Sequence, residues 1–252
     1  VDPETLFRIV DVTGVICNGL IGGTLARSRG FDLIGFLVLG AASALGGGLL
    51  RDMMLGIGFP VALTDPWYLG GAFAAAAFSY FVPLDRNKWT HRAMIFGDIL
   101  AIGCWSATGA SKGLSAGLGV VPAIFLGAVT AVCGGMVRDV MVNEIPKIFG
   151  GGPLYATFSV FSAAQMVVFQ SYGKYEMGMG SSIISCCILI VLARKYGWVL
   201  PKPYDLTEYA FRLRQRKANR MKRRRTFGKF RAGGGRNRSR AVIPSKNQDT
   251  AN

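Results

Sequence analysis

The residues best suited to chemistry in this chain are Gly46-Gly47-Gly48-Leu49-Leu50-Arg51-Asp52, which close a run of eighteen uncharged residues from Leu33 to Leu50. Three successive glycines weaken a helix, at about 1 kcal/mol each against alanine. An Arg-Asp pair at the end of so apolar a run is costly if it faces lipid. The same arrangement returns 87 positions later as Cys133-Gly134-Gly135-Met136-Val137-Arg138-Asp139. Such residues can do two things. Glycine breaks would free backbone carbonyl and N–H groups inside a membrane, where only protein or water can satisfy them. The charges would form ion pairs or line a polar cavity. Two plainer roles remain open beside these: a structural ion pair in each copy, and glycines that let helices pack closely.

The elements that must position these residues are apolar. The chain has 252 residues, 51% of them hydrophobic. Uncharged or nearly uncharged windows lie at about residues 9–26, 33–55, 66–84, 93–111, 113–142, 148–173 and 177–193. A bilayer core needs roughly 20 helical residues, so the fold class expected is an all-α membrane protein with seven transmembrane helices. The windows 33–50 and 66–84 lack the polar face that a soluble amphipathic helix would show. Prolines 60, 66, 83, 146 and 153 stand at window ends, and Pro122 lies near the start of the fifth. The short loops after spans one (Arg27, Arg29), three (Arg86, Lys88, Arg92) and five (Lys147) outweigh the opposite side (Arg8, Lys112, Lys174) in basic residues. That bias predicts an outside N-terminus and a cytoplasmic C-terminus. Asp2, Glu4 and Asp11 leave no signal-peptide pattern, and a start at Val1 is expected of a trimmed chain.

An offset of 87 residues aligns the chain with itself without gaps. Asp11 falls on Asp98, Cys17 on Cys104, Gly22 on Gly109, Gly30 on Gly117, Pro66 on Pro153 and Tyr68 on Tyr155. The copies are residues 6–84 and 93–173, with a seventh span at 177–197. Three spans per copy, an odd number, make the second inverted, which puts the working site at the interface of the copies near the midplane. Counting 1.5 Å per residue sets Arg51 about 27 Å above the start of its helix. Asp11, Arg51 and Asp52 then share one end of the bundle, and Asp98, Arg138 and Asp139 the other. Ser43 and its partner Thr130 stand one turn before the glycines and add hydroxyls to the path.

The duplicated G-G-G-x-x-R-D and G-G-x-x-R-D motifs, with three-plus-three spans and a seventh, resemble the prokaryotic trimeric intracellular cation (TRIC) channels over about residues 6–197. The resemblance implies a homotrimer with one pore per subunit, permeable to K⁺ and Na⁺ and lined by broken second and fifth helices. The faces Gly35/Leu39/Ala42 and Pro122/Leu126/Val129 are the expected subunit contacts. Cys133 departs from the pattern, standing where the first copy has Gly46. The same broad family has members described as glycine transporters, so a small-zwitterion carrier is the alternative. Half-helix N-termini would hold its carboxylate, and Asp11 or Asp98 its ammonium.

No Ser-His-Asp set, nucleotide loop or metal-ligand spacing appears, so neither an enzyme nor a cofactor or metal is expected. The five cysteines lie in apolar stretches and His91 in a charged loop. Residues 1–200 hold 13 basic against 11 acidic residues, and 201–252 hold 16 against 3. That basic tail, through Arg212, Arg214, Arg216, Lys217, Arg220, Lys222, Arg223, Arg224 and Arg225, suits anionic lipid at about 1 kcal/mol per charge. Nucleic acid is not the expected partner, since few aromatics accompany the charges, and residues 232–252 read as disordered. An integral protein of a prokaryotic inner membrane is the expected location.

Overall fold

A computed structural model describes residues 3–84, 88–149 and 154–199. All regular structure among them is helical: α1 (Pro3–Ser28), α2 (Leu33–Leu55), α3 (Val61–Thr64), α4 (Pro66–Phe81), α5 (Lys88–Ser115), α6 (Val120–Met141), a 3₁₀ turn at Lys147–Phe149, α7 (Tyr155–Ser171) and α8 (Tyr175–Tyr196). The basic tail, Arg86 and Pro153 lie outside the described residues.

Five helices, α1, α2, α5, α6 and α8, are long and apolar enough to cross a membrane. The windows at 66–84 and 148–173 give shorter helices than expected, of 16 and 17 residues. Local chemistry sets the bounds. The Asp65 carboxylate caps α4 by accepting from Trp67 N, and Pro83 follows one residue after the last carbonyl is capped at Val82. In the later window the first residues form the 3₁₀ turn behind Pro146, so α7 starts only at Tyr155. His91 also departs from expectation: it lies in the first turn of α5, which begins five residues before the apolar window.

Helices α5, α6 and α7 repeat α1, α2 and α4 at the 87-residue offset, and α1 and α5 end in the same cap. Gly30 and Gly117 both take positive φ (67° and 85°) where α1 and α5 end. Gly30 N donates to Arg27 O as Gly117 N donates to Leu114 O, and Phe31 N to Ala26 O as Leu118 N to Gly113 O. Only a residue without a Cβ adopts this left-handed cap at low cost.

Small residues set the packing within each set. A Cβ on Gly40 of α2 would lie 2.5 Å from Ala76 Cβ of α4, and one on the matching Gly127 of α6 would lie 2.8 Å from Ala163 Cβ of α7. Gly22 and Gly109 bring α1 onto α2 and α5 onto α6 in the same way. Leu39 and Leu126, expected at subunit contacts, are 1% and 2% exposed within the single chain. They belong to the interior, because the close approach at these glycines draws the neighbouring leucines between helices.

The expected helix breaks are absent. α2 is one continuous helix through Gly46, Gly47 and Gly48, and α6 runs unbroken through Gly134 and Gly135. The reason is contact between the two helices. A Cβ on Gly47 would stand 2.0 Å from the Thr130 carbonyl oxygen, and one on Gly134 2.5 Å from that of Ser43. Packing recovers what the glycines lose in helix propensity, as small residues do at membrane helix crossings. Gly48 and Gly135 differ, with only an arginine Nη2 near, at 3.8 and 3.6 Å. Gly47→Ala or Gly134→Ala should therefore cost about 1–3 kcal/mol as an overpacking change, while Gly48→Ala and Gly135→Ala stay near wild type. Thermal unfolding in detergent measures this; equal melting temperatures for all four variants would contradict the contact.

Candidate functional site

On each side of the α2–α6 crossing a cavity opens, and the charged residues gather there. The first is small, about 30 Å³, and is lined by Asp11, Gly48, Arg51, Asp52, Tyr68 and Trp105, with Thr130 at its floor among others. Arg51 donates from Nε to Asp52 Oδ1 at 2.7 Å and from Nη2 to Oδ2 at 3.1 Å. The backbone N–H of Val61 in α3 donates to Asp52 Oδ2 at 2.9 Å. Asp11 accepts from Trp105 Nε1 at 2.6 Å and from the Tyr68 hydroxyl. Beyond Asp52 and Val61 lies a mouth of about 200 Å³ that contains Lys112, whose Nζ is 3.6 Å from Asp52 Oδ1.

The second cavity is much larger, about 510 Å³. Its lining includes Asn18, Asp98, Gly135, Arg138, Asp139 and Tyr155. Each corresponds, at the 87-residue offset, to a lining residue of the first: Trp105 less 87 is Asn18, and the others follow by adding 87. Arg138 again pairs with its neighbour, Nε and Nη2 reaching Asp139 Oδ1 at 3.0 and 2.9 Å. Lys147 N donates to Asp139 Oδ2 at 3.3 Å, as Val61 N does to Asp52. The Asn18 side chain, which lines the same cavity as Asp98, donates from Nδ2 to Gly14 O at 3.2 Å. Arg194 of α8 adds a contact without a counterpart, donating to the Tyr155 hydroxyl at 2.6 Å, and Lys147, His91, Thr24 and Ser28 also line the cavity.

Between the cavities lies the crossing. Ser43 and Thr130 are fully buried there. Thr130 Oγ1 donates to Leu126 O at 2.6 Å, whereas Ser43 Oγ has no hydrogen-bond partner among the described residues. The structure thus gathers Asp11, Arg51 and Asp52 in one cavity and Asp98, Arg138 and Asp139 in the other, with Gly46, Gly47, Ser43, Thr130 and Gly134 at the contact and Gly48 and Gly135 on the cavity walls. Sequence reasoning passes over Trp105, Asn18, Lys112, Lys147 and Arg194 as site residues. Tyr68 and Tyr155 carry a signal in the repeat itself. Trp105 and Asn18 carry none, because they differ in type.

Known proteins agree with this architecture. The family model described as Glycine transporter matches residues 8–83 and 95–171. The chain belongs to this family. The two matched ranges begin 87 residues apart, the offset of the sequence repeat. A UPF0126 membrane protein of Deinococcus radiodurans is 34% identical over 191 residues, covering 74% of this chain and 87% of that protein. The UPF0126 inner membrane protein YadS of Escherichia coli K12 is 32% identical, over 73% of this chain and 88% of YadS. A structure from work on conductance through TRIC cation channels superposes with a TM-score of 0.73 at 29% identity, covering 79% of this chain and 97% of that one. A TRIC orthologue from Rhodobacter sphaeroides gives 0.70 at 27%, covering 77% and 100%. The fold of this family member is that of the prokaryotic TRIC channels, and the chain is an integral membrane protein.

The Arg-Asp pairs are buried, the Arg51 and Asp52 side chains being 7% and 11% exposed. Removing one partner of such a pair leaves an uncompensated charge, at about 3–5 kcal/mol, whereas replacing both with apolar groups costs far less. Asp52→Asn should thus destabilise by about 3 kcal/mol, and Arg51→Met with Asp52→Leu should be the milder change. Denaturation in mixed micelles reads both, and a single variant as stable as wild type would contradict the pairing.

Proposed function

We propose that this protein is a monovalent cation channel passing K⁺ and Na⁺, with one path per subunit running through the two charged cavities and the crossing between them. The observation that carries the reading is the approach of two acid-bearing cavities to a crossing made of backbone atoms. At Gly47–Thr130 and Gly134–Ser43 no side chain stands between the helices, so a small separation of α2 from α6 turns the seal into a water-filled path. Carbonyl oxygens of Ser43 and Thr130, and the unpaired Ser43 hydroxyl, would face that path and replace part of an ion's hydration. The state described is the closed one. Likeness to TRIC cation channels at 29% identity supports the same reading.

In this reading residues 6–84 and 93–173 are inverted repeats, 177–197 is the seventh span, and the short α4 and α7 cross a locally thinned bilayer. The positive-inside bias sets the Asp98 cavity toward the cytoplasm and Asp11 outside, in a prokaryotic inner membrane. Three subunits form a closed ring, and the tail from Arg212 to Arg225 binds anionic lipid. A second reading has one observation in its favour: the larger cavity holds Asp98 together with Lys147 and Arg194, which suits a zwitterion such as glycine.

Liposomes containing only this protein decide between the two. The channel reading expects rapid K⁺ efflux, no saturable glycine uptake, and unitary currents in planar bilayers. It also expects unchanged flux after deletion of residues 205–252, with weaker, salt-sensitive binding to anionic vesicles. Saturable glycine uptake without unitary current would overturn it in favour of the carrier.

A further inference from the structure

The two cavities match residue for residue in their acids, their tyrosines and the arginine of each Arg-Asp pair, yet one holds about 510 Å³ and the other about 30 Å³ before its mouth of about 200 Å³ beyond Asp52 and Val61. The matched position that differs most in bulk is Asn18 against Trp105. Asn18 turns its amide toward Gly14 O and leaves the space beside Asp98 open. At the equivalent place Trp105 carries an indole, 8% exposed, packed with Val15, Ala44 and Leu45. Its Nε1 is pinned to Asp11 at 2.6 Å, and the other oxygen of Asp11 is held by the Tyr68 hydroxyl. The indole is therefore fixed at one end by a charge-assisted hydrogen bond and at the other by apolar packing, which allows it little rotation.

We propose that Trp105 sets the size limit of the path: its indole occupies, beside Asp11, the space that stays open around Asn18 in the other half. The inference rests on the channel reading and extends it to the class of permeant ion. Small inorganic monovalent cations pass the Asp11 side once the crossing opens, and organic ammonium ions that would enter the Asp98 cavity are stopped there. Asp11 contributes the local negative charge, and the ring restricts the opening beside it.

Full-length protein in planar bilayers tests this through bi-ionic reversal potentials, K⁺ on one side and methylammonium or tetramethylammonium on the other. Wild type is expected to carry K⁺ and to discriminate strongly against tetramethylammonium. The variants Trp105→Phe, Trp105→Leu and Trp105→Asn should raise the tetramethylammonium-to-K⁺ permeability ratio in that order, by roughly an order of magnitude at Trp105→Asn. Two results overturn the proposal: a ratio that stays flat across the folded variants, or one that rises fully at Trp105→Phe and no further, which would make the hydrogen bond rather than the bulk decisive. Should Trp105→Asn not fold, the Phe and Leu steps alone separate the same outcomes. A wild type without K⁺ current fails differently, since it removes the channel reading together with this extension of it.

Discussion

The rest of this structure depends on the backbone contact between α2 and α6. At Gly47 and Gly134 the space for a side chain is taken by a carbonyl of the other helix, at 2.0 and 2.5 Å from where a Cβ would be. Lipid offers no hydrophobic drive to bring helices together, so close van der Waals approach must supply it. The glycines permit that approach, and they make the crossing a place where backbone meets backbone with no side chain between. A contact so close is also sensitive to separation, since a gap of about 0.5–1 Å forfeits roughly a quarter to a half of the dispersion attraction.

The charges follow from the same geometry. An arginine and an aspartate on consecutive residues can pair only by folding the arginine back along its own helix, and both copies do so. Each aspartate is then held by a backbone N–H from the segment that follows its helix, Val61 in one copy and Lys147 in the other. The pair is thus closed locally and stays buried beside the cavity, with Lys112 of α5 adding a longer contact to Asp52 at 3.6 Å in the first copy. That leaves Asp11, the acid of α1, with neutral partners, Trp105 and Tyr68. Among the described residues neither Asp11 nor its counterpart Asp98 on α5 has an arginine within ion-pair distance, unlike Asp52 and Asp139.

Much of this is legible in the chain. The all-helical, membrane-embedded class follows from the apolar windows, and the grouping of Asp11 with Arg51 and Asp98 with Arg138 follows from the offset and the helical rise. What fails is the inference from glycine to helix break. Propensity is a local quantity, and the contact with Thr130 O that keeps α2 helical is 83 residues away. Hydropathy overestimates the lengths of α4 and α7 because it does not see the stop at Val82 before Pro83, or the 3₁₀ turn at Lys147–Phe149, inside an apolar window. The inequality of the cavities is hidden for a related reason. A repeat search reports positions that agree, and the cavities differ through one that does not, Asn18 against Trp105.

The arrangement of two repeat-related cavities of unequal access, separated by the crossing, is tested most directly by water-borne thiol reagents at Gly48 and Gly135. Both positions have room for a side chain and line their cavities. With Cys17, Cys104, Cys133, Cys186 and Cys187 replaced, Gly48→Cys and Gly135→Cys are labelled in sealed vesicles by a membrane-impermeant methanethiosulfonate. The expected result is rapid labelling of Gly135→Cys from one side only, and slow labelling of Gly48→Cys from the opposite side. Equal rates at both positions, or labelling of both from the same side, would contradict it.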